Sequence, residues 1–292
     1  QRIAELWRPL LSKVEYASFA HGGYLARQLL PGLTLLALNT VVYSSNVWGP
    51  AGGDDPFGQL SWLRSQLETV RSGGGMAFIH GHIPPVYDSW GPSPMMQPRF
   101  VEALLSIFTD YNDVIAARLF GHLHSNEIRA VPDLPAASQP LLVQSSTAPC
   151  YVSNPFLSVV TFDASSKQVV DFAAHEALLD SSSAGAGLHW AEMFASARQF
   201  FGLESISNGE VRLLASRMMS DNGVWQRYRE QWYKGVPQVA CDATCRATQA
   251  CLVSDGFRLP ALNACIADLT AMVASHHMSE LPAATAGSRP TS

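Results

Sequence analysis

Two histidines one residue apart, His122 and His124, follow an apolar run at residues 114–120. That run predicts a buried strand, so the pair lies where a strand ends in a loop. Side chains at positions i and i+2 of an extended segment point to the same side, so both imidazoles can converge on one site. Imidazole is a ligand suited to zinc, iron and related ions. The pattern therefore predicts a metal site at the end of a strand.

A second histidine-bearing turn lies upstream. A short apolar strand is predicted at residues 76–79, and Gly81-His82-Ile83-Pro84-Pro85 follows it. Glycine beside a histidine lets the backbone turn sharply next to an ion. In this turn context we interpret His82, His122 and His124 as metal ligands. The remaining histidines are interpreted as surface or core residues: His21, His80, His175, His189, His276 and His277.

The two Gly-His turns carry a resemblance to a known family. The segment 81–85, followed forty residues later by Gly121-His122-Leu123-His124, resembles the last two metal motifs of the calcineurin-like metallophosphoesterases. More narrowly, the chain is similar to the acid sphingomyelinase branch, which includes sphingomyelinase-like phosphodiesterases and endopolyphosphatases. The resemblance runs from residue 1 to about residue 270. Supporting segments in the order of that branch are Gly22-Gly23-Tyr24, residues 31–40, residues 58–63, Ala148-Pro149-Cys150-Tyr151 and Asn154-Pro155.

This resemblance implies an α/β fold, in which the chain forms part of a four-layer α/β/β/α sandwich followed by a small helical subdomain. It also implies two divalent metal ions, with zinc as the metal. His82 and His122 would bind one ion and His124 the other. Tyr151 takes the place of a substrate-binding tyrosine in that branch, although its residue type fits a half-buried loop tyrosine equally well.

Other motifs of the family are absent from this sequence. The two-metal site of the family also takes an Asp-x-His pair, a Gly-Asp aspartate and a Gly-Asn-His asparagine, and the last motif supplies the general acid. The chain contains no Asp-x-His and no Gly-Asn-His, and its only Gly-Asp is Gly53-Asp54. We interpret Asp54 as a helix cap, because Asp54-Asp55-Pro56 can cap and start a helix that runs to about Val70. The expectation is that the chain is the carboxyl-terminal part of a longer phosphoesterase, with no general acid of its own and no activity by itself.

By resemblance, the whole enzyme is a phosphodiester hydrolase in which a metal-activated hydroxide attacks phosphorus. Sphingomyelin, cleaved to ceramide and phosphocholine, is the leading substrate. Nucleotides or polyphosphate are alternatives, because the shared motifs specify phosphoester chemistry and not the group attached. The other hypothesis is a truncated homologue that folds or binds a partner without turnover.

Composition restricts the partners. The formal net charge is −5, with 47% hydrophobic and 15% charged residues, and there is no basic cluster. Nucleic acid is therefore not expected as a partner, because neutralising phosphates requires concentrated Lys and Arg. No apolar run approaches the length needed to cross a bilayer. The expected partner is a small phosphodiester or phospholipid, which leaves peripheral contact with a membrane open.

The five cysteines divide into a group of four and a single residue, Cys150. Four within 25 residues favour two disulfides in a small helical subdomain, because the spacings lack the paired Cys-x-x-Cys motifs of structural zinc sites. Disulfides predict an oxidising compartment, which is either the secretory route or a lysosomal or acidic vacuolar lumen. Four cysteines allow three connectivities. The resemblance implies local pairing of Cys241 with Cys245 and Cys251 with Cys265.

Hydrophobic periodicity predicts the elements around these residues. Strands alternate with helices up to about residue 180, where a small-residue segment at 181–187 suggests a boundary. We predict a half catalytic domain at 1–180, a helical subdomain at 188–275 and a disordered tail at 279–292. An aromatic stripe, Trp225, Tyr228 and Trp232, is interpreted as packing against the catalytic domain. The predicted strands are 33–39, 76–79, 114–120, 127–131, 141–144, 156–162 and 169–173; the predicted helices are 54–70, one opening at Pro98, 190–201, 210–219 and 224–233.

Overall fold

The computed structural model describes residues 2–46, 53–149, 154–179, 189–233 and 240–279. These residues form a mixed α/β structure with a parallel sheet and carboxyl-terminal helices, as predicted. Tyr151, Cys150 and the small-residue segment at 181–187 lie outside the described residues, as does the tail from residue 280. Among the described residues, no helix combines the length and apolar character that crossing a membrane requires.

The main sheet has six strands in the order β1-β2-β3-β4-β6-β5. The strands β2, β3, β4 and β6 run parallel, and β1 and β5 are antiparallel strands at the two edges. The central strands are buried on both faces, which explains why they read as continuous apolar runs in the sequence. Their bounds are β1 Leu25–Leu30, β2 Leu33–Leu38, β3 Met76–Gly81, β4 Ile115–Phe120, β5 Glu127–Arg129 and β6 Leu141–Val143.

Helices α3 (Gln59–Ser72) and α4 (Pro98–Asp110) cover one face of this sheet. Leu63 and Leu67 on α3 are fully buried and share a core with Ile79 of β3. The interpretation of Asp54 as the helix cap is wrong, because the side chain of Asp54 faces solvent and pairs with Arg99. Asp55 takes the role instead: its carboxylate accepts the backbone N–H groups of Leu60 and Ser61.

A second, three-stranded antiparallel sheet packs on the other face. Phe78 of the main sheet meets Phe162 of the second sheet edge to face, with ring centroids 5.6 Å apart. The α, β and β layers correspond to part of the expected four-layer sandwich. The strands of the second sheet are β7 Phe156–Phe162, β8 Val169–Ala177 and β9 Trp190–Phe194.

The prediction of one helix over 190–201 is wrong at its first half. Residues 190–194 form β9, in which Phe194 pairs with Ala174 of β8, and only α5 (Ala197–Phe201) is helical. Ser196 separates the two elements, since its side chain accepts the N–H of Gln199 at the start of α5. Cross-strand pairing, which is not local in sequence, overrides the local helical pattern.

Four longer helices complete the described chain and share a core with both sheets. The aromatic stripe packs as predicted: Trp225, Tyr228 and Trp232 are all buried. The cysteines pair locally, Cys241 with Cys245 and Cys251 with Cys265, with Cα–Cα distances of 5.3 and 5.7 Å. These helices are α6 Asn208–Ser220, α7 Asn222–Tyr233, α8 Ala243–Asp255 and α9 Leu259–Ser279; at the other end of the chain lie α1 Arg2–Trp7 and α2 Lys13–Gly22.

Candidate metal centre

The two Gly-His turns meet at one edge of the main sheet. Strands β3 and β4 are parallel neighbours, with His80 in register with Leu119, so both end on the same side. The backbone then joins the two turns directly, because the N–H of Gly121 donates to the carbonyl oxygen of His82 at 2.9 Å. Sequence reasoning placed both turns at strand ends, and the parallel topology brings them together.

The imidazoles of His82 and His122 are in contact. Nδ1 of His122 lies 3.2 Å from Nε2 of His82, and the ring centroids are 5.0 Å apart with the planes at 73°. Two nitrogens bound to one tetrahedral zinc ion, each about 2.0–2.1 Å away, are separated by about 3.3–3.4 Å. The spacing is that of a hydrogen bond between the two rings, and it is also close to the separation that one shared ion would give. Imidazole is an appropriate donor for such an ion.

The backbone of this loop has an unusual conformation at both histidines. His122 has a φ of 74° and His124 has a φ of 57°. These values lie in the left-handed region, which residues other than glycine seldom occupy. The carbonyl oxygen of His124 accepts a hydrogen bond from the hydroxyl of Ser145 at 3.2 Å. The pKa of His122 is lowered, first by burial and then by the neighbouring His82 and His124. A lowered pKa favours the neutral imidazole, which is the form that binds metal.

A glycine at the end of β3 is required by close packing. A Cβ on Gly81 would lie 2.7 Å from the methyl group of Thr40 and 2.8 Å from the ring of Phe120. The hydroxyl of Thr40 accepts the backbone N–H of Ile83 at 2.7 Å, which holds the chain directly after His82. Gly81 is thus needed for the close approach of Thr40 and Phe120 to the backbone as well as for the turn that the sequence suggested.

A cleft of about 330 Å³ opens beside His122, lined by Asp88, Trp90, Met95, His122 and Leu123. Burial raises the pKa of the Asp88 carboxyl, and the nearby Glu127 adds to this effect. Sequence reasoning missed Asp88 and Trp90. Their place in a Pro-flanked loop that follows β3 was the available signal, since loops after strand ends carry many functional residues.

Two further charged residues, which the sequence patterns did not single out, lie beneath the site. The side chains of Glu127 and Arg129 have no solvent exposure and form an ion pair. They belong to β5, which the alternation of apolar and polar residues had marked only as a strand.

Across the described ranges, no group of three or more His, Cys, Asp or Glu side chains is arranged to hold a metal ion. The structure therefore brings together His82 and His122 as a pair. The role of His124 as a ligand to a second ion stays a prediction, as does the role of Tyr151 in substrate binding.

No protein-family model matches the chain. The chain is similar to a sphingomyelinase phosphodiesterase D from Dictyostelium discoideum, with 30% identity over 236 residues, covering 78% of this chain and 54% of that protein. It is 31% identical over 266 residues to a sphingomyelin phosphodiesterase from Bos taurus, covering 86% of this chain and 40% of that protein. It is 24% identical over 263 residues to a cyclic GMP-AMP phosphodiesterase from Homo sapiens, covering 86% and 58% respectively.

Among solved structures, a dimetal phosphatase from Danio rerio matches with a TM-score of 0.36 and 14% identity, covering 58% of this chain and 61% of that one. The chain spans about half the length of the curated relatives it matches.

Proposed function

We propose that this chain, which is similar in sequence to sphingomyelin phosphodiesterases and acid sphingomyelinase-like phosphodiesterases, contributes a metal-binding face to a phosphoric diester hydrolase. The observation that carries the proposal is the contact between His82 Nε2 and His122 Nδ1, 3.2 Å apart at the ends of two parallel strands. The names of the relatives support phosphodiester chemistry.

The roles of the histidines follow from their positions. His82 and His122 would hold one divalent ion, and His124, on the same loop, would hold a second. Two such ions would activate a water molecule and neutralise charge on the phosphoryl oxygens. The backbone hydrogen bond from Gly121 to His82 keeps the imidazoles of His82 and His122 close together. Zinc is the proposed metal, because the donors supplied by this chain are imidazole nitrogens.

Three histidines are fewer ligands than a two-metal site requires, so we expect this chain by itself to bind zinc without turning over a phosphodiester. The remaining metal ligands and the general acid would come from residues other than His82, His122 and His124. Measuring hydrolysis of bis-p-nitrophenyl phosphate with added zinc tests this expectation. Turnover that His124→Ala abolishes would contradict it.

Sphingomyelin is the proposed substrate of the whole enzyme, with Tyr151 contacting the headgroup or phosphate. A cyclic dinucleotide is the second candidate, because one relative carries that activity in its name. Secretion or a lysosomal or acidic vacuolar lumen is the proposed location, and the two disulfides are compatible with it. The division of the chain at 1–180 and 188–275, and peripheral membrane contact, are also proposals.

Zinc titration of the purified chain tests the metal centre. We expect His122→Ala to raise the Kd for Zn²⁺ at least tenfold, because it removes one of the two adjoining imidazoles. The matched control is His175→Ala on β8, which should leave the Kd within twofold of the parent. Equal Kd values for the two variants would exclude His122 as a ligand, and an unchanged melting temperature in both would exclude unfolding as the cause.

A further inference from the structure

The loop between β4 and β5, residues 121–126, carries His122 and His124 on a strained backbone. Both have positive φ, which costs free energy wherever the residue is not glycine. A loop keeps two such residues only where neighbouring contacts hold them. Trp90 and Glu127 make such contacts directly, and residues of α7 and α8, more than a hundred residues further along the chain, hold them in turn.

Trp90 holds the backbone between the two histidines. Its indole Nε1 donates to the carbonyl oxygen of Leu123 at 3.1 Å. The Trp90 ring stacks on Trp232 of α7, with centroids 4.4 Å apart and planes at 26°. Helix α7 therefore reaches the loop through one aromatic ring.

A buried polar network makes a second connection to the same loop. Nε1 of Trp232 donates to the hydroxyl of Ser89 at 3.1 Å. That hydroxyl and the hydroxyl of Ser125 both donate to Oε1 of Glu127. Ser125 directly follows His124, so the carboxylate of Glu127 anchors the carboxyl end of the loop. Arg129 fixes the carboxylate in turn, donating from Nε to Oε2 at 2.7 Å.

Helix α8 completes the support. Gln249 donates from Nε2 to the carbonyl oxygen of Ser89 at 2.8 Å, and Arg129 donates to the carbonyl oxygen of Leu252. On α7, Gln231 donates to the carbonyl oxygen of Asn126, the last residue of the loop. Each of these contacts is buried, so water does not compete with it.

We propose that Trp232, Ser89 and Glu127 are positioning residues that set the conformation of the loop 121–126 and thereby the placement of its two histidines. Helices α7 and α8 then help to position the histidines of the metal centre, in addition to stabilising the fold. The consequence for metal affinity rests on the proposed function, whereas the consequence for loop conformation does not. Residues that orient metal ligands through hydrogen bonds typically change metal affinity 10- to 100-fold when replaced.

Two matched substitutions on α7 separate positioning from general stability. Trp232→Phe removes the indole N–H that reaches Ser89 and keeps an aromatic ring against Trp90. Trp225→Phe makes the same change two turns earlier at a similarly buried position, where the ring contacts Tyr228 instead. Both should lower the melting temperature by similar amounts. Ser89→Ala removes the hydroxyl at the centre of the network and serves as the second variant if Trp232→Phe does not fold.

Hydrogen exchange of the backbone amides and zinc titration are the two readouts. We expect Trp232→Phe and Ser89→Ala to speed exchange of the amides in residues 121–126 about tenfold and to raise the Kd for Zn²⁺ about tenfold. Trp225→Phe should change neither. Unchanged exchange in the loop for both network variants would overturn the proposal. If exchange responds while the parent chain binds no zinc, the loop assignment stands and the proposed function falls.

Discussion

At the scale of single residues, the feature that sequence patterns describe least well is the buried charge at Glu127 and Arg129. Removing two charges from water is costly, and their attraction offsets this cost only when further hydrogen bonds satisfy both groups. Here the carboxylate accepts from Ser89 and Ser125, and the guanidinium donates to Leu252. Both buried charges are thus satisfied by the ion pair and its hydrogen bonds. Removing one of the two residues leaves the charge of the other buried without a counter-charge.

Glu127→Ala should lower the free energy of unfolding by about 3–5 kcal/mol, because it leaves the Arg129 guanidinium buried without its counter-charge. Urea denaturation at neutral pH measures the effect. The control is Glu68→Ala, whose ion pair with Arg71 is exposed and should contribute little to stability. Similar losses in the two variants would show that burial of the pair does not matter.

At the scale of elements, the ends of strands and helices determine where functional groups lie. Strands β3 and β4 end beside each other because they are parallel, and this brings His82 to His122. The amino-terminal end of α2 is also held in place by specific contacts. Ser12 and Glu15 form a reciprocal cap, and Glu15 also pairs with Arg27 of β1. A helix cap and a helix-to-strand ion pair therefore depend on one carboxylate.

The Glu15 carboxylate makes the stability of this junction depend on pH. Its pKa is lowered from 4.5 to about 2, chiefly by hydrogen bonding to Arg27. A carboxyl group with a lowered pKa in the folded state contributes stability above its unfolded pKa, and the contribution disappears as the pH falls toward the folded pKa. Glu15→Gln should therefore destabilise the protein by about 1 kcal/mol at pH 7, a value reduced for the solvent exposure of Arg27.

Denaturation of parent and Glu15→Gln proteins between pH 7 and pH 2 measures this difference. The gap should hold down to about pH 4.5 and close between there and about pH 2. Glu5→Gln, at an exposed pair with Arg8, is the control and should show little effect at any pH. A gap of constant size across the range would contradict the assignment of the pKa shift to Glu15.

At the scale of the whole molecule, the carboxyl-terminal helices and the sheets share one core. Phe78 of the main sheet, Phe172 of the second sheet and Trp225 of α7 belong to the same buried cluster. Cys251 lies at the buried side of α8 and joins it to Cys265 of α9, so the second disulfide fastens α8, which carries Gln249 of the Ser89 network, to its neighbour.

The two disulfides should contribute unequally. Joining Cys251 to Cys265 closes a longer loop than joining Cys241 to Cys245, with separations of 14 and 4 residues. Loop-closure entropy gives about 3 kcal/mol for the longer loop and about 2 kcal/mol for the shorter one. Thermal unfolding of the two double alanine variants tests the order, with the Cys251/Cys265 pair expected to be the more damaging. The reverse order would argue against an entropic origin of the stabilisation.

The sequence by itself determined the features that depend on local pattern. Apolar runs located β2, β3, β4 and β7, and glycines beside histidines marked His82, His122 and His124 as candidate ligands. The pairing of His82 with His122 was implied only by the resemblance. The cysteine spacing indicated disulfides, and the resemblance supplied their local pairing. These features depend on periodicity and on residue chemistry within a few positions, which a single sequence records.

Only the tertiary structure decided the rest. It turned residues 190–194 into a strand through pairing with β8, moved the helix cap from Asp54 to Asp55, and placed Asp88 beside His122. It also connected Trp232 and Gln249 to Ser89, across separations of 143 and 160 residues. Contacts at such distances along the chain leave no periodic trace, because each depends on how the whole chain packs and not on its neighbours in sequence.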